Sequence, residues 1–298
     1  MLPTGLLYGL GAAGAWGLTD ISSALAGRRV GSLRVFVGAQ SVGLAVLVGL
    51  AILQSVHPFD IPPATFLYVI GLGILGGVAY LTFFTALRIG PVAVVSPVVA
   101  AYGGLTVVLS VLFRGETLEP LQALGAVLAT AGIVMTGVVL DGGLRSIRLR
   151  GAGVAFALVA LTTFALATVG TAGPIKEHGW LEVTLVSRGA DVVFALSIFV
   201  VIVRRAPGWA RSMVETGGVV DRRGPLLVVL TGLLDVAGLI SFTIGLEVAE
   251  TWLVGLSSSF GPAVAVLVAV LFLGERLRPI QWIGIVVLGA GMLAITVG

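Results

Sequence analysis

The sequence predicts an all-α membrane protein with ten transmembrane helices, arranged as two inverted repeats of five helices. Three observations carry this prediction: the apolar composition, a motif written twice, and basic residues that change sides between equivalent loops. The chain of 298 residues is 58% hydrophobic and 10% charged, with a mean hydropathy of +1.14. A soluble protein of this length needs more polar surface, so the expected solvent is lipid.

Ten apolar runs are long enough to cross a bilayer, because a helix needs about 20 apolar residues to span the hydrocarbon. Glycine is abundant at 43 residues, and in lipid such small residues allow helices to approach closely. The predicted spans cover residues 4–25, 33–54, 65–88, 91–113, 119–139, 151–172, 180–203, 225–246, 251–273 and 279–297.

The two halves of the chain repeat one motif. The stretch 115–125 reads GETLEPLQALG, and the stretch 274–284 reads GERLRPIQWIG. Self-similarity at this distance indicates a duplicated unit of roughly 150 residues. We therefore expect one five-helix repeat over residues 1–143 and a second over residues 151–298.

Basic residues distinguish the two sides of the membrane. Five is an odd number of spans, so the second repeat is expected to be upside down relative to the first. The loop between spans two and three has no lysine or arginine, whereas its counterpart between spans seven and eight has five arginines. Nearly all of the 17 basic residues lie in or beside odd-numbered loops, which by the positive-inside rule face the cytoplasm. Both termini are then expected outside.

Several classes of site and partner are excluded by composition. The chain has no cysteine, and its two histidines, His57 and His178, fall in predicted loops. We therefore predict no metal site and no cofactor. The basic residues lie between apolar spans, so they indicate membrane topology and not nucleic-acid binding. The N-terminus shows no cleavage site, and the first span is expected to remain as a helix. The oligomeric state stays open, a monomer included.

Further short motifs accompany the repeated Gly-Glu-x-Leu signatures at 115–118 and 274–277. They are Ala15-Trp16-Gly17 in span one, Ser96-Pro97 in span four, and Pro262 in span nine. In this order, and over nearly the whole chain, these features resemble the ten-helix, EamA-type members of the drug/metabolite transporter superfamily. The resemblance implies a secondary transporter, commonly an exporter of amino acids or other small metabolites. It also implies an arginine in span seven, which Arg188 matches, whereas Gln40 stands at the equivalent place in the first half.

Ionisable residues within the spans are candidates for function, since each costs a few kcal/mol to insert into lipid. Arg188 and Asp191 are three residues apart and share a helix face. They form either a packing ion pair or a site in which Arg188 holds an anionic group. Asp235 has no basic neighbour on its own helix and is our candidate for proton coupling, with a neutral structural acid as the alternative. Asp20 either lines the transport pathway or is an interfacial carboxylate that pairs with Arg28 and Arg29 at the end of its helix.

Polar and aromatic side chains in several spans suit a substrate cavity near the membrane midplane, between the repeats. The repeated glutamates Glu116 and Glu275 are expected to cap the next helix or to pair with nearby basic residues. The predicted cavity residues are Trp16, Asp20, Gln40, Tyr80, Phe84, Tyr102, Arg188, Asp191, Asp235, Phe242, Trp252 and Ser258.

Two other functions use the same residues. A lipid or cationic-drug flippase could share this architecture. An intramembrane aspartyl protease could use Asp191 and Asp235 as a carboxylate pair, but Gly189-Ala190-Asp191 departs from the Gly-x-Gly-Asp of that family. No phosphate-binding loop is present that would indicate ATP hydrolysis. We therefore predict a carrier for small molecules in the lipid bilayer, with no catalytic residues.

Overall fold

The structure is a computed structural model that describes residues 3–57, 60–89, 95, 98–137, 152–205, 223–261, 263–264 and 279–298. Within these ranges the chain forms ten α-helices and no β-strand. The helices are α1 (Thr4–Val30), α2 (Ser32–Gln54), α3 (Pro63–Ile89), α4 (Tyr102–Arg114), α5 (Pro120–Gly137), α6 (Ala152–His178), α7 (Trp180–Arg205), α8 (Arg223–Val248), α9 (Thr251–Ser258) and α10 (Pro279–Val297).

Six of these helices are long and apolar enough to cross a membrane. They are α2, α3, α6, α7, α8 and α10; α5 is a shorter apolar helix, as is the segment Val98–Arg114 that contains α4. Many large apolar side chains on the helices are exposed at the protein surface, among them Leu53, Phe113 and Leu293. A surface of this kind is expected when lipid, and not water, surrounds the helices.

Spans four and nine, each of which the sequence shows as one apolar run, are interrupted in the structure. Ala101 forms a turn just before α4, and Ser259 and Phe260 form a turn just after α9. The hydroxyl of Ser259 donates to the carbonyl of Leu256 at 2.6 Å. Such local bonds compete with the regular helix ladder and favour a break. The predicted remainder of span nine, residues 265–273, lies outside the described residues, as do Pro97 and Pro262.

Equivalent helices of the two halves are joined by equivalent turns. Gly31 connects α1 to α2 with φ +87°, and Gly179 connects α6 to α7 with φ +91°. Only glycine adopts this conformation without a steric penalty, so both turns need it. The two halves therefore begin with the same helix–glycine–helix unit.

The inversion of the repeats is visible where α5 crosses α10. Gly125 lies against Gly291, and Gly132 lies against Gly284, so the two helices run antiparallel. When the two copies of the repeated motif, 115–125 and 274–284, are aligned, Gly125 is equivalent to Gly284 and Gly132 is equivalent to Gly291. We call this alignment the motif register. Each contact is thus the image of the other under a two-fold axis between the helices, which is the arrangement of inverted repeats.

The remaining helix contacts follow the same symmetry. Helix α1 packs along α8, and its repeat equivalent α6 packs along α3. The pairs α2–α7 and α4–α9 each join two equivalent helices across the same axis. The cavity described below lies around this axis, bounded by α1, α3, α4 and α6 to α9.

The α5–α10 crossing gives a first testable prediction. A Cβ on Gly291 would lie 2.5 Å from the backbone nitrogen of Ala129 and 2.7 Å from the carbonyl oxygen of Gly125. Backbone atoms cannot move aside cheaply, so we expect Gly291→Ala to lower the free energy of unfolding by about 1–3 kcal/mol. The measurement is thermal unfolding in detergent. Gly289→Ala on the same helix is the control, since nothing lies within 4 Å of its added Cβ; equal losses in the two variants would contradict the prediction.

Candidate functional site

A cavity of about 270 Å³ lies between the two repeats. Its wall is mainly apolar and aromatic, with a few charged and hydroxyl groups, as expected of a small-molecule site. Both interrupted spans contribute their turn regions to this wall: Val99, Ala100 and Tyr102 from one, and Ser258, Ser259 and Gly261 from the other. At this crossing the Tyr102 and Ser258 hydroxyls form a hydrogen bond of 2.9 Å.

Three buried charged side chains form one cluster in the cavity wall. Arg188 and Asp191 project from α7, and Asp235 lies halfway along α8. Arg188 Nη2 is 2.9 Å from Asp235 Oδ2, and Arg188 Nη1 is 3.7 Å from Asp191 Oδ2. The three residues are only 4–6% exposed. The sequence left the partner of Asp235 open, and the structure assigns it to Arg188.

Asp235 also connects the second repeat to the first. The Tyr80 hydroxyl on α3 donates to Asp235 Oδ1 at 3.2 Å. The Trp16 indole N–H on α1 donates to the backbone carbonyl of Asp235 at 3.3 Å. The charge state of this one carboxyl group therefore bears directly on its contacts with Arg188 on α7 and with Tyr80 on α3.

The cluster is not electrically balanced when all of its groups are ionised. Arg188 contributes one positive charge, whereas Asp191 and Asp235 contribute two negative charges. A buried net charge is costly, and a proton or a cationic group can neutralise it. Arg188 Nη1 and Asp191 Oδ1 have no hydrogen-bond partner among the described residues, so both retain capacity to bind a further group.

Asp20 is a separate acidic group of the cavity. It is exposed, it lines the cavity, and it is close enough to Asp235 to interact with it electrostatically. Its carboxylate forms no hydrogen bond or ion pair with any residue that the structure describes. The side chain of Arg28, one of its expected partners at the helix end, lies outside the described residues. Asp20 is thus an acidic residue of the cavity wall that lies outside the cluster of Arg188, Asp191 and Asp235.

Aromatic rings are placed symmetrically around the cavity. Trp16 packs against Phe242 with 5.3 Å between ring centroids, and Phe164 packs edge-to-face against Phe83 at 6.5 Å. Aligning α1 with α6 at their first residues pairs Trp16 with Phe164, and the motif register pairs Phe83 with Phe242. These are two images of one aromatic contact. They give the cavity two similar apolar walls.

Charge, in contrast, is distributed asymmetrically. Gln40 is the repeat equivalent of Arg188, and Gly76 is the repeat equivalent of Asp235. The buried ion cluster thus belongs to the second repeat alone. A symmetric scaffold with a one-sided charge cluster can respond differently to the two sides of a membrane.

Nine of the twelve predicted cavity residues line the cavity: Trp16, Asp20, Tyr80, Tyr102, Arg188, Asp191, Asp235, Phe242 and Ser258. Gln40 and Trp252 do not. Gln40 is buried on α2, and no described residue of α2 lines the cavity. Trp252 is buried in an apolar cluster with Leu6 and Ile133. The side chain of Phe84 lies outside the described residues.

The sequence missed an aromatic residue and several hydroxyl groups of the wall. Phe164 contacts Tyr80 edge-to-face at 5.2 Å, and Thr168 and Thr171 follow it on the same face of α6. Phe164 and Thr168 are the repeat equivalents of Trp16 and Asp20. Aligning the first helices of the two repeats, and not only the Gly-Glu motifs, would have found them.

The sequence profile of the EamA-like transporter family matches the chain twice, over residues 3–138 and 151–297. Together the two matches cover nearly the whole length. The chain belongs to the EamA-like transporter family. It is therefore a membrane transporter of small molecules and not an enzyme, so family membership contradicts the aspartyl-protease alternative. The two carboxylates that such a protease would use, Asp191 and Asp235, both contact Arg188.

A solved crystal structure, described only as that of a protein, has the same fold as this EamA-like transporter. It aligns with a TM-score of 0.80, covering 100% of this chain and 98% of that chain, at 19% sequence identity. No protein of curated function matches the sequence.

Proposed function

We propose that this EamA-like transporter is a proton-coupled secondary transporter that exports amino acids or other small metabolites by alternating access. The observation that carries the proposal is the buried cluster of Arg188, Asp191 and Asp235 in the wall of the cavity. Intramembrane charges of this kind mark substrate and ion pathways, because lipid makes them expensive to keep without a use. The two inverted repeats, residues 1–143 and 151–298, are the bodies that would rock around the cavity.

Asp235 is the proposed proton site. Ionised Asp235 holds Arg188 and accepts the Tyr80 hydroxyl from the other repeat. Protonation removes its negative charge, leaves Arg188 balanced by Asp191, and weakens the contact between α3 and α8. Proton uptake would thus change both the charge of the cavity and a bond between the two repeats, which is what coupling requires.

An amino acid matches the charged groups of the cavity other than the proposed proton site. Its carboxylate would bind Arg188 Nη1, which has no hydrogen-bond partner among the described residues. Its ammonium group would bind the exposed carboxylate of Asp20. The apolar wall that Phe83, Phe164 and Phe242 provide would receive the side chain.

The test is counterflow in proteoliposomes. Labelled amino acids are exchanged against a mixed metabolite pool, with and without an imposed pH gradient. We expect saturable counterflow that the gradient accelerates. Saturable counterflow without any effect of the gradient would remove the proton from the proposal, and no counterflow of any soluble metabolite would remove the substrate class.

A second candidate, export of cationic drugs or lipids, is favoured by one observation. The acidic groups of the cavity outnumber Arg188, and aromatic rings surround them, a setting that attracts organic cations. The discriminating probe is tetraphenylphosphonium. Saturable, gradient-driven efflux of this cation together with no amino-acid counterflow would favour the second candidate over the first.

The hydroxyl of Tyr80 provides a test that changes no charge. Tyr80→Phe deletes the hydrogen bond to Asp235 and keeps the aromatic ring. We expect gradient-driven transport to fall by about tenfold, the effect of one hydrogen bond to a charged group, with little change in unfolding temperature. Tyr102→Phe is the control, since it deletes a cavity hydroxyl that bonds Ser258 and not the charge cluster. Equal effects on the gradient dependence would contradict a specific role of Tyr80.

The proposed location is the cell membrane with both termini outside. It is supported by the basic residues of the odd-numbered loops, which would face the cytoplasm. Export would then carry substrate from the side where α1 ends towards the side where α6 meets α7.

A further inference from the structure

In the first copy of the repeated Gly-Glu motif, the glycine is required by the backbone conformation of the turn. Gly115 follows α4 with φ +65°, a left-handed conformation that ends the helix and reverses the chain. The Glu116 N–H then donates to the carbonyl of Ser110 at 3.4 Å. This turn directs the Glu116 side chain away from its own loop and towards α9 of the other repeat.

The Glu116 carboxylate holds the beginning of α9 with both oxygens. Oε1 accepts from the backbone N–H of Thr251, and Oε2 accepts from that of Trp252, each at 2.9 Å. Arg114 Nε lies 3.5 Å from Oε1, and the Glu116 side chain is 11% exposed. The pairing with a basic neighbour agrees with the sequence expectation. The capped helix, however, is α9 of the other repeat and not α5, which follows in the chain.

Helix α9 has no cap of its own. Glu250, the residue before it, forms no side-chain bond to the first turn. The first N–H groups of a helix need acceptors, and the positive end of the helix dipole favours a carboxylate. Glu116 satisfies both needs, so the first repeat supplies the N-terminal cap of a helix in the second repeat.

The same end of the molecule is closed by an apolar plug. We use this name for Val69, Ala172, Ile175, Val183, Leu246 and Val254, which pack together from α3 and α6 to α9 and are at most 1% exposed. Val254 lies in the first turn of α9, two residues after Trp252, the second of the two residues whose N–H groups Glu116 binds. The hydrogen bonds from Glu116, which join the two repeats, and the plug residue Val254 therefore lie in the same turn of α9.

We propose that Glu116 is a latch between the repeats, which holds the cavity closed at the plug end and releases when that end opens. The inference rests on the alternating-access mechanism proposed above. The latch carries no substrate; it positions α9, and through α9 the plug. Its loss is expected to shift the protein towards the state that is open at this end.

The chain contains no cysteine, so a single introduced cysteine reports accessibility. The two reporters are Ala172→Cys, at a plug position on α6, and Ala157→Cys, at the other end of the same helix. Both alanines are 0% exposed. Each reporter is labelled with a hydrophilic maleimide in purified, detergent-solubilised protein, which exposes both sides and needs no substrate. The test variant is Glu116→Gln, whose amide accepts only one of the two N–H groups. Glu119→Gln in the same loop is the control.

We expect Glu116→Gln to raise the labelling rate at position 172 by about tenfold, the shift that corresponds to one lost hydrogen bond to a charged group. The rate at position 157 is expected to stay unchanged, and Glu119→Gln to alter neither. Faster labelling at both reporters would mean general loosening of the fold and would overturn the latch. Unchanged labelling at position 172 in a folded Glu116→Gln variant would overturn it as well.

A second variant removes the latch from the donor side. Thr251→Pro deletes one N–H while keeping Glu116, and proline is favoured at the first position of a helix. Glu250 has φ −67° and ψ 139°, the extended conformation that a residue before proline adopts. We expect Thr251→Pro to open the plug end and to add little to Glu116→Gln. If the increases in labelling rate at position 172 were fully additive in the double variant, the two substitutions would not act on one shared contact.

The accessibility test is independent of the transport test. Failure of counterflow would contradict the proposed substrate and coupling, and it would not change the labelling result.

Discussion

Asp235→Asn is expected to abolish the acceleration of counterflow by a pH gradient. Asparagine is nearly isosteric with aspartate, yet it carries no negative charge for Arg188 and takes up no proton. We expect gradient-driven transport to fall by about 100-fold, in line with the loss of a buried charge-paired contact. Exchange without a gradient is expected to persist at a reduced rate, because Arg188 remains balanced by Asp191.

Asp191→Asn is the matched control for this prediction. It removes the other carboxylate of the cluster and leaves the 2.9 Å contact between Arg188 and Asp235 in place. We expect this variant to keep its response to the gradient. Transport of Asp235→Asn that still responds fully to the gradient would refute proton coupling through this residue. Loss of the response in both variants would make the coupling a property of the pair.

Arg188→Ala is expected to have the largest effect on stability. It leaves two buried carboxylates in the same wall without their shared cation, and breaking a buried ion pair by removing one partner costs about 3–5 kcal/mol. Asp235→Asn leaves one cation with one anion and should cost clearly less. Thermal unfolding in detergent measures both. An Arg188→Ala variant that is no less stable than Asp235→Asn would contradict the charge balance described here.

Two companion variants sharpen the result for Arg188. The double variant Arg188→Ala, Asp235→Asn carries one uncompensated carboxylate and not two, so it is expected to be more stable than Arg188→Ala alone. Arg188→Lys keeps the positive charge and loses the planar donor fork. If Arg188 also binds a substrate carboxylate, Arg188→Lys should retain the fold and lose transport. Retained transport would assign Arg188 to packing alone.

The charge cluster gives the two repeats unequal tasks. The helices, the aromatic contacts and the glycine turns are matched between the halves, as the pairs Trp16–Phe242 and Phe83–Phe164 illustrate. Arg188, Asp191 and Asp235 have no such counterparts, since Gln40, Gly43 and Gly76 stand at the equivalent positions. In the proposed alternating-access mechanism, symmetry would supply two equivalent closed states at opposite ends, and the one-sided cluster would favour one of them.

The sequence by itself determined the membrane class, the duplicated unit and the family. These follow from composition and from the order of motifs along the chain, which need no knowledge of helix rotation. It also identified Arg188, Asp191 and Asp235 as costly intramembrane charges. Membrane insertion makes such residues rare, so their mere presence within spans is informative.

Only the tertiary structure decided which side chains meet. Periodicity does not fix the rotation of a helix that is apolar on all sides, so the sequence predicts Gln40 and Trp252 in the cavity although both lie outside the cavity wall. The break after Ser258 depends on side-chain bonds back to the helix, which composition does not reveal. The partner of Glu116 lies 135 residues away along the chain. A contact of that separation arises from the packing of two inverted repeats, and no local pattern of residues specifies it.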